Sequence, residues 1–556
     1  MVVVALALAA CGPSGGADPT EPSTAVTAAA VTAAPATTEP ATTEPATTEP
    51  ATTEPATTEP ATTEPATTEP ATTTTPAPTT TLAPTTTTTV LPSRRSGWIV
   101  GENALPGTDA WRITARDPLG WIEGYAAATS AHPGDQLALY VDTGSPAYTV
   151  EAYRMGFYGG KQGRLVWTSE AQTGRRQPAP DVDPATGLAV ARWTPSLAVP
   201  IGADWPPGAY LLKLVSSARG SSYVPLTVRD DDAHADLLVV NAVTTWQSYN
   251  QWGACSLYSC GGLTSRNRGV KVSFDRPYAR QFGDGSADYL DHEQPLIALA
   301  EELGIDLAFA TSIDLHEHPD LATRYRGVLS LGHDEYYSTR MRQALVDARD
   351  KGVNLAFFGA NAVYRHIRFE PAADGRADRV MVNYRTGDDP IGRSDQSEIT
   401  VEWRMQGKPE AQLVGIQYLC ANLHADLVVS SAAHWIWAGA GVREGQALRD
   451  LVGNEADGRF RAFSPGNLDL LAQSPVVCDR KTKSMAHTSY YSASSGAGVF
   501  ASGTIWWVCA LEAQFCSRPE NVAPVRAATG NVLRVFAQGP AGTTHPSGTR
   551  PGAPPG

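Results

Sequence analysis

Arg326-Gly327-Val328-Leu329-Ser330-Leu331-Gly332-His333-Asp334-Glu335-Tyr336-Tyr337-Ser338 runs from an apolar segment straight into four ionisable side chains. Residues 326–331 predict a short buried strand. Ser338 predicts the N-cap of a helix that carries Met341, Leu345 and Ala348 on one face and stops at Gly352. Strand, polar turn and helix in that order put His333, Asp334, Glu335 and Tyr336 at a strand's carboxyl end, where α/β folds build their sites. Asp334 and Glu335 also suit the amino end of a helix through its dipole, but that leaves His333 and Tyr336 without a role.

The same rhythm continues on either side. Residues 237–243 form a continuous apolar run, 295–303 an amphipathic helix pattern, and 305–310 and 353–358 two further apolar runs. This βαβ alternation predicts an α/β domain with a mainly parallel sheet covered on both faces. Its polar strand ends, 244–250, 311–316, 333–336 and 359–364, share one edge and predict a pocket there. Trp246, Tyr249, Asn250 and Asn361 are the candidates that join the 333–336 turn. No GxGxxG, GxxxxGK[ST] or GxSxG follows any of these strands, so dinucleotide, nucleoside triphosphate and serine-elbow chemistry find no support.

Residues 95–232 read differently. Short β-rich runs at 111–113, 136–141, 148–153, 208–214 and 223–228 alternate with Gly/Pro turns, which predicts a β-sandwich. The turns at 131–135 and 205–208 resemble those of immunoglobulin-like domains. The aromatic loop Tyr153-Arg154-Met155-Gly156-Phe157-Tyr158-Gly159-Gly160 is expected to pack against the second domain.

The front of the 556-residue chain contributes to no core. Leu8-Ala9-Ala10-Cys11 resembles the lipobox of bacterial lipoproteins, which implies lipidation at Cys11. A secretory signal also carries a positive n-region, and its lack points to a start upstream of Met1. Ala-Thr-Thr-Glu-Pro then repeats within 12–94, where proline every fifth residue blocks helix and ladder, so an extended disordered stalk is expected. Residues 541–556 read as a disordered tail. The net charge of −14 argues against a nucleic-acid partner, which would need clustered Lys and Arg. No apolar run spans a bilayer, so membrane contact is expected only through Cys11.

The other six cysteines form an even set in a chain read as exported, so disulfides are expected. Cys255 with Cys260 and Cys509 with Cys516 are the local pairs that spacing favours. None shows the CxxC spacing of a zinc site.

Residues 235–538 resemble the C-terminal domain of the N,N-dimethylformamidase large (β) subunit. The stretches that carry the likeness are 245–250, 332–338, 354–361, Leu451-Val452-Gly453-Asn454-Glu455-Ala456-Asp457 and 496–504. The resemblance implies a fold similar to class I glutamine amidotransferases and a mononuclear iron held by two tyrosines and a glutamate. Tyr336 matches one tyrosine. A second is expected just before the helix that opens at Pro295, yet that place reads His292-Glu293-Gln294, with Tyr289 and His292 as the nearest substitutes. Glu398 or Glu402 is offered for the glutamate. All-oxygen anionic ligands suit a hard ferric ion.

Together these readings predict an exported lipoprotein that hydrolyses the carbon–nitrogen bond of an amide. His333, Asp334, Glu335, Tyr336 and Asn361 are the candidate catalytic residues. His333 or Glu335 would protonate the leaving amine and Asn361 would donate to the carbonyl oxygen. The alternative is a non-catalytic surface protein that binds a small molecule or surface ligand in an inherited pocket. The substrate and the oligomeric state stay open.

Overall fold

Leu237–Asn241, Leu307–Thr311, Gly327–His333 and Asn354–Ala360 are buried at every position. Runs apolar on both faces are what a two-sided parallel sheet needs. In the computed structural model, which describes residues 96–114, 121–513, 516 and 518–548, these strands pair in parallel. Leu237–Asn241 lies between Leu307–Thr311 and Gly327–His333, and Asn354–Ala360 and Gly498–Ala501 follow. Thr482–Ser492 and Asp469–Cys478 extend the sheet antiparallel. The order reverses between Leu237–Asn241 and Gly327–His333, so a crevice opens above their carboxyl ends.

The helix predicted from Ser338 spans Thr339–Asp350, and the Ser338 hydroxyl accepts from the Met341 amide at 3.3 Å. Met341, Leu345 and Ala348 are buried as the pattern required. Residues 244–250 continue their strand differently from the reading above: Val243–Tyr249 is a helix.

Before this domain, Ile122–Ala126, Gln136–Thr143 and Leu197–Pro200 form a small antiparallel sheet. Ser221–Val228, Gly208–Ser216, Ala147–Met155 and Gly163–Thr168 form the antiparallel body of a larger one. Leu139, Val150, Leu212 and Val224 fill the space between them. Residues 111–113 are not a strand. Trp111 is instead buried side-on, its indole Nε1 donating to the Lys161 carbonyl at 2.9 Å.

The loop after Tyr153 seats on the α/β domain as expected. Arg154 Nη2 meets Glu301 Oε1 at 2.6 Å with both side chains fully buried, and the Phe157 amide donates to Glu301 Oε2 at 3.3 Å. Gly156 permits that approach, since a Cβ there would lie 2.1 Å from Glu301 Oε2.

Both predicted local disulfides are present, Cys255–Cys260 and Cys509–Cys516, and Cys420–Cys478 completes the set. Residues 541–548, expected within a disordered tail, are ordered, and the rest of that expected tail lies outside the described residues. Ala541–Thr544 is a short helix with Ala541 buried, and the Tyr490 hydroxyl donates to the His545 carbonyl at 2.8 Å. Among the described residues no helix is long and apolar enough to cross a membrane. Cys11 and the Ala-Thr-Thr-Glu-Pro repeat lie outside the described residues.

Candidate functional site

The strand Gly327–His333 reaches the crevice through Gly332, whose φ of +57° favours glycine. A Cβ there would also lie 2.4 Å from the Cβ of His292. Two hydroxyls from the neighbouring helix then fix the turn. Thr245 Oγ1 accepts from the Glu335 amide at 3.0 Å, and Thr244 Oγ1 donates to the Tyr336 carbonyl at 3.0 Å.

Glu335 and Tyr336 thereby meet a cluster of phenols. The Tyr258 hydroxyl lies 2.7 Å from that of Tyr336, 2.6 Å from Tyr249 Oη and 3.1 Å from Glu335 Oε2, with one proton to share among them. Tyr249 donates to the same carboxylate oxygen at 2.9 Å, and its ring stacks on Tyr258 with centroids 4.2 Å apart. Two guanidiniums close the far side. Arg385 Nη2 donates to Tyr336 Oη at 2.9 Å and lies 4.1 Å over the Tyr258 ring. Arg365 Nε is 3.4 Å from Glu335 Oε1, and its Nη1 is 3.2 Å from Glu402. Burial raises the Tyr336 phenol while Arg385 opposes the rise.

On the near side His333 Nε2 lies 3.3 Å from Glu335 Oε2 and 3.6 Å from Glu455 Oε2. Burial pulls this imidazole down, but Glu455 and Glu335 outweigh it and push it up to about 9. Burial works against the Glu335 anion too, yet His333, Arg365 and Arg385 hold it down at about 2. Glu455 moves the other way: burial lifts it to about 7, with His333 resisting. At neutral pH the arrangement is therefore an imidazolium between a fixed carboxylate and one poised to take or release a proton. A cleft of about 350 Å³ opens beside His333 and Glu455, walled by Tyr249, Phe282 and Trp506.

Residues 149–521 match the family described as N,N-dimethylformamidase beta subunit-like, C-terminal. The chain belongs to this family. No curated protein matches it. The matched range starts inside the strand Ala147–Met155, so the likeness reaches back across the expected boundary at 232 into the sandwich.

In this N,N-dimethylformamidase-like chain the structure gathers His333, Glu335, Tyr336 and Tyr249 at one point and sends four other candidates elsewhere. Asp334 turns away, its Oδ2 accepting from Ser330 at 2.8 Å and from Tyr337 at 2.5 Å, which makes it an internal brace of the turn. Trp246 is core, edge-on to Tyr278 and Tyr289. Asn250 spends its amide on Pro277 and Gln247 and its carbonyl on the Trp252 and Ala279 amides. Glu398 binds Thr339 at 2.8 Å and faces His366 at 3.8 Å, so it is no ligand partner of Tyr336. Asn361 sits at the edge of the site: its backbone amide donates to Asp457 Oδ1 at 2.8 Å, and its side chain acts to lower Glu455 against burial.

Tyr258, Arg385, Arg365 and Glu455 escaped the sequence reading. Glu455 left a signal, since Glu455 and Asp457 are alternate residues of one strand and so share a face, with Asn454 on the other. Tyr289, a possible substitute for the missing second tyrosine, bonds Gln294 in the core. The extra phenols come instead from Tyr249 and Tyr258. With Tyr336 and Glu335 they form an all-oxygen donor set whose chemistry fits a hard trivalent ion.

Proposed function

We propose that the chain is an amide hydrolase acting outside the cytoplasm, and that His333 is the proton donor to the leaving amine. The observation that carries this reading is the His333 imidazole set between Glu335 and Glu455 at the mouth of the cleft. Three disulfides support an oxidising compartment, and a lipid anchor at Cys11 completes the proposal.

Hydrolysis adds water across the C–N bond. Glu455 takes a proton from the attacking water as the C–O bond forms, and the Tyr258 and Tyr249 hydroxyls face the charge that gathers on the carbonyl oxygen. His333 gives its proton to the nitrogen as the C–N bond breaks, with Glu335 holding the ring in register. Asn361 orients Glu455. A ferric ion is the group the family likeness implies; Tyr336, Tyr258, Tyr249 and Glu335 would hold it, the tyrosines then as phenolates that no longer donate, and when bound it would polarise the carbonyl in their place.

The test is hydrolysis of a panel of formamides, acetamides and anilides by the purified chain. Turnover that falls by about 10²-fold or more in both His333→Ala and Glu455→Gln supports the assignment. Ligand binding without turnover on any amide would replace it with a binding protein, a reading favoured by the closed hydrogen-bond network around Tyr336.

A further inference from the structure

We propose that the cleft beside His333 holds the amine half of the substrate, and that this half is an aromatic group bearing a cationic or N–H-donating nitrogen. Placing the amine half there rests on the hydrolase reading; the charge preference of the cleft does not.

Charge is unevenly divided across the site. Arg365 and Arg385 stand on the far side, against Glu335 and Tyr336. The cleft lining contains no Lys or Arg and does contain Asp288 and Glu455. His333 also faces the cleft, but it stands between Glu335 at 3.3 Å and Glu455 at 3.6 Å, one imidazolium against two carboxylates. That leaves Glu455 and Asp288 to act on a ligand, with His292 beside Asp288 at 3.8 Å.

Glu455 is 8% exposed, and its Oε2 accepts no hydrogen bond within the protein, His333 Nε2 standing off at 3.6 Å. His292 Nδ1, on the same cleft, is likewise buried without a hydrogen bond, Asp288 Oδ1 being 3.8 Å away. A buried acceptor left open costs stability unless a bound group fills it. An N–H donor satisfies Glu455 Oε2, whereas a carboxylate ligand would meet it as a like charge. Phe282, Trp506 and Tyr249 supply the aromatic walls, and ring faces around a carboxylate favour a cation.

Benzylammonium, benzyl alcohol and phenylacetate share a ring and differ in charge, so calorimetric titration of each into the full chain isolates the preference. Benzylammonium is expected to bind on the order of tenfold tighter than benzyl alcohol, with phenylacetate weakest. Glu455→Gln should erase the ammonium's advantage, and Asp288→Asn should reduce it and serves if the first variant does not fold. Phenylacetate binding as tightly as benzylammonium, no benzylammonium binding, or an advantage untouched by either variant overturns the inference. A chain that hydrolyses amides yet prefers phenylacetate removes this inference and leaves the hydrolase reading. A chain that binds benzylammonium through Glu455 and hydrolyses nothing keeps the cationic pocket and removes the hydrolase.

Discussion

The hydroxyls of Tyr258 and Tyr336 meet at 2.7 Å although 78 residues separate them in the chain. One comes from a loop closed by Cys255–Cys260 and the other opens the short strand Tyr336–Ser338 that follows Gly327–His333. Tyr258→Phe deletes the hydroxyl that joins Tyr249, Glu335 and Tyr336 while keeping the ring stack. Amide turnover is expected to fall by on the order of 10²-fold with little change in Tm, because a donor to developing charge is lost and packing is not. Steady-state kinetics and thermal unfolding on the same preparation check both halves.

Opening the loop should act through the same atom. Cys255→Ser combined with Cys260→Ser is expected to lower turnover as far as Tyr258→Phe does, whereas Cys509→Ser with Cys516→Ser leaves it higher. Equal losses in the two double variants would show general destabilisation and sink the link to Tyr258.

Ferric ion titrated into the protein is expected to raise a visible phenolate band that weakens in both Tyr336→Phe and Tyr258→Phe, since the band needs an ionised ring oxygen on the metal. A colourless wild-type titration removes iron from the mechanism.

Stability should be highest in mild acid. His333 sits above its unfolded value, so its contribution is complete below about pH 6.5 and fades as pH rises through about 9. Buried Glu455 and Asp457, each lifted to about 7, and Glu293, lifted to about 8, also lose stability as pH climbs above the unfolded carboxylate range. Glu335 is held at about 2, so its contribution is present above about pH 4.5 and disappears toward pH 2. Tm measured from pH 3 to 9 should peak near pH 5 to 6, and Glu293→Gln should flatten the alkaline limb. A peak above pH 8 contradicts these signs.

Arg154 and Glu301 form a fully buried ion pair across the contact between the two halves. Glu301→Ala strands the guanidinium and should cost about 3–5 kcal/mol, while Arg154→Met with Glu301→Leu recovers most of it. Urea unfolding of the single and double variants decides the matter.

The parallel sheet could be read from sequence because strands buried on both faces are uninterrupted apolar runs, and because Ser338 and Gly352 mark the ends of one helix. Tyr336 and Glu335 could be read because they adjoin such a strand. Trp246 and Tyr249 could not be told apart, since seven residues of helix are too few for a periodic pattern to show which face is core. Tyr258 and Arg385 left no trace, as each reaches the crevice from irregular backbone whose approach is set by a disulfide or by tertiary packing.

Cys255 and Cys260 close a ring of six residues that carries Tyr258 at its middle and belongs to no strand of the sheet. Leu257, fully buried in the main core, anchors the ring from within, while Tyr258 beside it reaches the phenol cluster. The crevice therefore owes one of its phenols to a short covalent ring rather than to the register of the sheet.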